Sequence, residues 1–105
     1  MNHLKIYKKF FNIGIDEVSL CEVCNKPASQ IHHIRFKSHG GDNSLKNLAG
    51  LCVGCHVNAH AYVLEEVEIQ NKHDRKIISY LNNNLYKIKE MDEKSIDYYL
   101  KQFNL

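Results

Sequence analysis

Apolar residues recur with two different periods along this chain. Leu4, Tyr7, Phe10 and Phe11 fall three or four positions apart, the spacing of one helix face. They predict an N-terminal helix over residues 3–13, ended by Gly14. Two short apolar runs bounded by turn formers, Ser29–Ile34 and LAGLC at 48–52, predict two strands. The stretch between them, KSHGGDNSLKN, is a loop, because Gly40-Gly41 and Asp42-Asn43 favour turns. From about Gly54 to Glu65 the period becomes helical again, through Val57, Ala61 and Leu64.

The C-terminal third is also helical in pattern. Ile77, Ile78, Leu81, Leu85 and Ile88 form one stripe, with Asn71 or Asp74 as candidate N-cap. Ile96, Tyr99, Leu100 and Phe103 predict a last short helix. Stripes of this kind are read as core packing rather than as ligand surfaces. There is no internal repeat, low-complexity stretch or proline-rich linker.

Composition changes this picture little. The 105 residues are 44% hydrophobic and 25% charged, as in an ordinary single globular domain. A chain so short buries a modest share of its surface, so a structural ion would help it hold its shape. No apolar run approaches the ~18 residues that cross a bilayer. The first residues carry lysines but no long apolar segment, so they read as a helix and not as a signal peptide. A cytoplasmic protein with no membrane association is expected. Residues 1–60 carry a charge of +3 and residues 61–105 a charge of −1. This placement suits a phosphate-bearing partner, although a solvated lysine-rich surface would look the same.

Cysteine and histidine spacing carries the chemistry. Cys21, Cys24, Cys52 and Cys55 form two C-x2-C pairs. Each such turn can aim two sulfurs at one ion, and two turns complete a tetrahedral zinc site. Disulfides fit poorly with an intracellular chain. Zinc held by four thiolates has no open position, so its expected role is to support the fold. His56 and His60 stand at i and i+4 on one helix face, a spacing that suits two imidazoles on one divalent ion. His32 and His33 are adjacent on a strand, so their side chains diverge and serve different purposes. A different zinc set, with His56 or His60 replacing a cysteine, stays open. His3, His39 and His73 have no such partners in sequence and are read as incidental.

The segments CEVC, IHHI, GGDNSLKNL and LCVGCHVNAH, within residues 21–60, resemble the HNH endonucleases in content and order. The resemblance implies an α+β fold: a ββα-metal (HNH, or His-Me finger) core at 21–65 with a four-cysteine zinc knuckle. That core would be flanked by an N-terminal helix at 3–13 and C-terminal helices at 72–104, in one domain over 1–105. The family letters fall on His33, Asn47 and His56. By resemblance, His33 is the general base and Asn47 pins the loop that holds it. His32 and His56 are ligands of the catalytic ion. His60 matches a ligand that only some members have. His32 stands where many members carry aspartate.

The implied activity is DNA phosphodiester hydrolysis with one catalytic divalent ion, leaving 5′-phosphate and 3′-hydroxyl ends. Imidazole-rich ligation suits zinc, nickel or manganese better than magnesium. Arg35, Lys37 and Lys46 flank the site and are candidate phosphate contacts. No element looks able to read bases, so low sequence specificity is expected. The expected partner is DNA, and a phage packaging factor or other targeting protein is a further candidate in a phage or mobile-element setting. Two rival readings remain: a non-catalytic zinc-stabilised DNA- or protein-binding module, and a toxin that needs an immunity partner.

Overall fold

Helix α1 (His3–Phe10) opens a computed structural model that describes residues 2–103, apart from the Phe103 side chain. Strand β1 (Gln30–His33) and strand β2 (Leu48–Leu51) then pair antiparallel, with His32 opposite Ala49 and His33 opposite Leu48. Helix α2 (Val53–His60) follows β2 after Cys52 alone. Two further helices, α3 (Glu66–Asn83) and α4 (Glu93–Phe103), are joined by a 3₁₀ turn over Leu85–Glu90. The centre is therefore a ββα unit in an α+β fold, flanked by helices at both ends. None of the helices described is long and apolar enough to cross a membrane.

The element boundaries depart from expectation for local reasons. Helix α1 stops at Phe10 and not at Gly14, because Asn12 adopts a left-handed φ of 55° and Ile13 N–H closes back on Lys8 O at 2.8 Å. Tyr62, with φ of 60°, similarly follows the end of α2. Helix α3 begins at Glu66, ahead of both candidate caps, with Glu66 and Glu68 favourably placed against the helix dipole in its first turn. Asn84 ends α3, its side-chain amide donating to Tyr80 O at 2.9 Å. Leu85 and Ile88 thus leave the stripe for the 3₁₀ turn, and Leu85 is exposed. Residue 104, the expected end of the last helix, and the Phe103 side chain lie outside the described residues.

Two apolar cores result. One joins Cys21, Ile34, Ala49, Leu51, Cys52, Ala59 and Ile69 around the sheet and α2. The other joins Phe10, Leu45, Ile77, Leu81, Met91 and Tyr99, uniting α1, α3, α4 and the loop before β2. Helix α3 contributes to both, through Ile69 to the first and through Ile77 and Leu81 to the second.

Between them lies a buried polar hub. The Glu22 side chain is 1% exposed, and His73 Nδ1 lies 2.7 Å from its Oε1. Tyr7 donates to Glu22 Oε2, and Gly50 N–H donates to the same oxygen at 3.0 Å. His73 Nε2 reaches Leu45 O at 2.8 Å. Burial opposes charge on both groups, but the His73–Glu22 attraction and hydrogen bond prevail, raising the His73 pKa and lowering that of Glu22. His73 is thus a structural residue and not an incidental one. It fastens α3 to the cysteine turn and to the loop before β2.

Candidate metal centres

The two C-x2-C pairs meet in space. Cys21 and Cys24 lie in a turn flanked by a bridge between Leu20 and Pro27, and Cys52 and Cys55 span the start of α2. Their four sulfurs lie within 4.8 Å of one another, and Cys24 Sγ is 3.5 Å from Cys52 Sγ. Cys52 is the N-cap of α2, its sulfur accepting from Cys55 N–H at 3.4 Å. That N–H bond is the main reason its thiol pKa falls to about 7. Four mutually close sulfurs, one already inclined to ionise, fit the donor set of a structural zinc. No histidine replaces a cysteine, because the histidines form a group of their own.

That second group is His32, His56 and His60, whose ligand nitrogens also lie within 4.8 Å of one another. His32 comes from β1, and His56 and His60 from successive turns of α2, with 3.0 Å between their Nε2 atoms. His32 Nε2 is buried and has no hydrogen-bond partner among the described residues. An orphaned buried nitrogen facing two other imidazoles is the observation that tests the site for a metal, and the donors fit one. Burial, then the neighbouring charges of His56, His60 and His33, holds the His32 pKa down to about 4. Burial, then His60, lowers that of His56. Both rings are therefore kept in the neutral form that ligation requires.

Strand alternation separates the adjacent histidines. His32 turns into the nitrogen cluster, whereas His33 lies outside it, with Nε2 2.8 Å from Asn43 Oδ1. The ring of His3, from α1, sits 4.8 Å from that of His33. A cleft of about 480 Å³ is lined by His32, His33, His56, His60, Phe36 and Lys37.

Asn47 binds the opposite end of the loop. Its side chain accepts from Arg35 N–H at 2.7 Å and donates to Arg35 O at 3.1 Å and Asp42 O at 2.8 Å. The two glycines make that loop possible. Gly40 takes φ of 89°, and a Cβ on Gly41 would stand 1.8 Å from Arg35 O. The three basic candidates divide. Lys37 lines the histidine cleft, while Arg35 and Lys46 line a separate cavity with Asp42, Asn47 and Gln70. Arg35 Nε is already engaged by His39 O at 2.8 Å.

Some residues of the site went unread in the sequence. Phe36 stacks on His60 with 4.8 Å between centroids and packs edge-on against His32. Asn43 touches His33, and His3 covers one side of it. An aromatic next to Arg35 in a loop gives no signal beyond its polarity contrast. Asn43 was legible only as a turn former. On α2, the expected apolar face through Val57 and Ala61 is exposed, and Cys52, Cys55, His56 and Ala59 face inward instead.

No curated protein and no solved structure matches the chain. A family model does match, over residues 19–62, the stretch that holds both donor clusters, both strands and α2. That model describes the HNH endonuclease family, so residues 19–62 are similar to an HNH endonuclease domain.

Proposed function

We propose that the protein is a metal-dependent endonuclease that hydrolyses DNA phosphodiester bonds with low sequence specificity. One observation carries the reading. Three imidazoles, including the orphaned His32 Nε2, converge on one side of a cleft, while the neighbouring His33 lines the same cleft outside that group. Phosphodiester hydrolysis needs a base for the attacking water, charge compensation at phosphorus and a stabilised leaving oxygen. His33 serves as the base: its neutral imidazole takes a proton from water as the oxygen attacks phosphorus. Strand alternation keeps it free of the ligand set.

His32, His56 and His60 would hold the catalytic ion. The chemistry such an ion would supply there is polarisation of the phosphoryl oxygens and compensation of charge on the leaving 3′ oxygen. Lys37, which lines the cleft, contacts backbone phosphate. Asn47 holds Arg35 and Asp42 at a fixed separation, which keeps β1 and the loop in register. The products are 5′-phosphate and 3′-hydroxyl ends. The four-cysteine zinc takes no part in the chemistry and supports the turn that carries Glu22.

The test is supercoiled plasmid incubated with protein stripped of loosely held metal, with Mg²⁺, Mn²⁺, Ni²⁺ or Zn²⁺ added in turn. At least one ion should convert the plasmid to nicked or linear form. His33→Ala should lower that rate by ~10²–10⁴, the usual cost of losing a general base, while DNA binding and metal affinity are kept. Retained DNA binding with no cleavage under any of the four ions would instead establish a zinc-stabilised binding module.

A further inference from the structure

The two nitrogens of His33 are not equivalent, and the difference has a consequence for catalysis. A neutral imidazole carries one N–H and one lone pair, and the partner of one nitrogen decides which is which. His33 Nε2 lies 2.8 Å from Asn43 Oδ1, and among the described residues nothing engages Nδ1. An amide oxygen has lone pairs and no proton. This contact therefore places the proton on Nε2 and the lone pair on Nδ1. The opposite amide orientation would donate to Nε2 and force the proton onto Nδ1, leaving the neutral ring no free lone pair.

We infer that Asn43 is a positioning residue for His33, holding it as the Nε2–H tautomer with Nδ1 free to accept a proton. The inference rests on the reading of His33 as the base, and it deepens that reading by naming the accepting atom. Asn43 is suited to this task because the chain on both sides of it is anchored. Asp42 O accepts from Asn47 at 2.8 Å, and the Asp42 carboxylate accepts from Ser44 N–H at 3.0 Å and from Lys94 of α4 at 2.7 Å. Leu45 N–H donates to Asp92 Oδ2 at 2.8 Å, and Lys46 N–H donates to Ser95 Oγ at 2.9 Å. The loop that presents Asn43 is thereby fixed to the C-terminal helices, beyond residues 19–62 of the family match. From the other side, the His3 ring limits the swing of His33, with 4.8 Å between centroids and a tilt of 56°.

Three variants and two readouts test this. The first readout is plasmid cleavage with Mn²⁺, separated into kcat and KM. The second is the ¹⁵N spectrum of the His33 ring at about pH 8, where an ordinary imidazole is neutral, recorded without added catalytic metal. Asn43→Leu removes the acceptor and should lower kcat roughly 10- to 100-fold, the usual cost of losing an orienting partner, with KM within about twofold. Its His33 ring should shift from a dominant Nε2–H tautomer to a mixture. Asn43→Asp can only accept, so it should keep the wild-type tautomer and most of kcat, which also guards against a folding artefact in the leucine variant. An unchanged tautomer in Asn43→Leu, or equal loss of kcat in both variants, would overturn the assignment. His33→Ala separates the two claims. If it cuts like wild type, the base reading fails whatever the spectra of the Asn43 variants show.

Discussion

The two donor clusters share a helix and differ in every other respect that matters. Cys52 and Cys55 lie at the start of α2, and His56 and His60 lie further along it. The sulfurs are four, and Cys21 and Cys52 belong to an apolar core. The nitrogens are three, one of them buried without a partner, and they border a cleft. Four thiolates saturate a tetrahedral ion, whereas three imidazoles leave it room for a further ligand. One short helix thus begins with sulfurs beside an apolar core and ends with imidazoles at a cleft. Its first turn sets the fold, and that fold brings its later turn to face His32.

Substitutions at the two ends of α2 should break the molecule in opposite ways. Cys52→Ser is the severest. Serine is itself a favoured N-cap, so the cap survives and only the thiolate donor is lost. Structural zinc contributes ~10–16 kcal/mol in small zinc domains, comparable to or greater than the ~5–15 kcal/mol of net stability usual for a fold. The expected outcome is insoluble protein or loss of the cooperative thermal transition, with the roughly one zinc per chain expected of wild type missing from elemental analysis. His56→Ala should leave that zinc and the melting temperature almost unchanged. It should weaken binding of the added ion, with cleavage partly recovered at high metal concentration. If Cys52→Ser melts like wild type, or if His56→Ala loses the tightly held zinc, the division of labour along α2 is wrong.

The hub behind the cysteine turn offers a smaller effect of the same kind. Removing His73 leaves Glu22 buried and 1% exposed, without its cationic partner 2.7 Å away. Breaking a buried pair from one side typically costs 3–5 kcal/mol, so His73→Ala should lower the denaturant midpoint by roughly that equivalent. Lys76, 3.9 Å from Glu22, reduces the penalty. Cleavage per folded molecule should be unaffected, because His73 touches neither donor cluster. A variant that folds normally but cleaves slowly would mean that the hub tunes the site rather than the fold.

What could be read from the sequence divides along the same line. The clusters were legible because metal ligation is written in local spacing, C-x2-C in a turn and i, i+4 on a helix. The same ligands then misled the reading of α2. Cys52, Cys55 and His56 lie on its inward side with Ala59, so the apolar period through Val57 pointed the wrong way. The hub was illegible, since Glu22 and His73 are 51 positions apart and no local spacing links them. The hold on the loop was hidden likewise: Leu45 meets Asp92 at a separation of 47 residues. Polar residues that act across such separations look like ordinary surface until the chain is folded.

The mildest prediction concerns what the histidine side of α2 faces. If DNA lies along the cleft, phosphates should be met by few cations, because Lys37 lines that cleft while Arg35 and Lys46 line another cavity. Binding through three to five phosphates gives a log–log salt slope of roughly −3 to −4. Lys37→Ala should reduce the magnitude of that slope by about 1, and should weaken binding alike on unrelated duplexes. Arg35→Ala is expected to do less, because its Nε is already bound to His39 O at 2.8 Å and the side chain is partly committed to the loop. Fluorescence anisotropy of labelled duplexes across a salt series measures both. A larger slope change for Arg35 than for Lys37 would place the backbone over the Arg35–Lys46 cavity, away from the three histidines, and would separate the DNA track from the catalytic cleft.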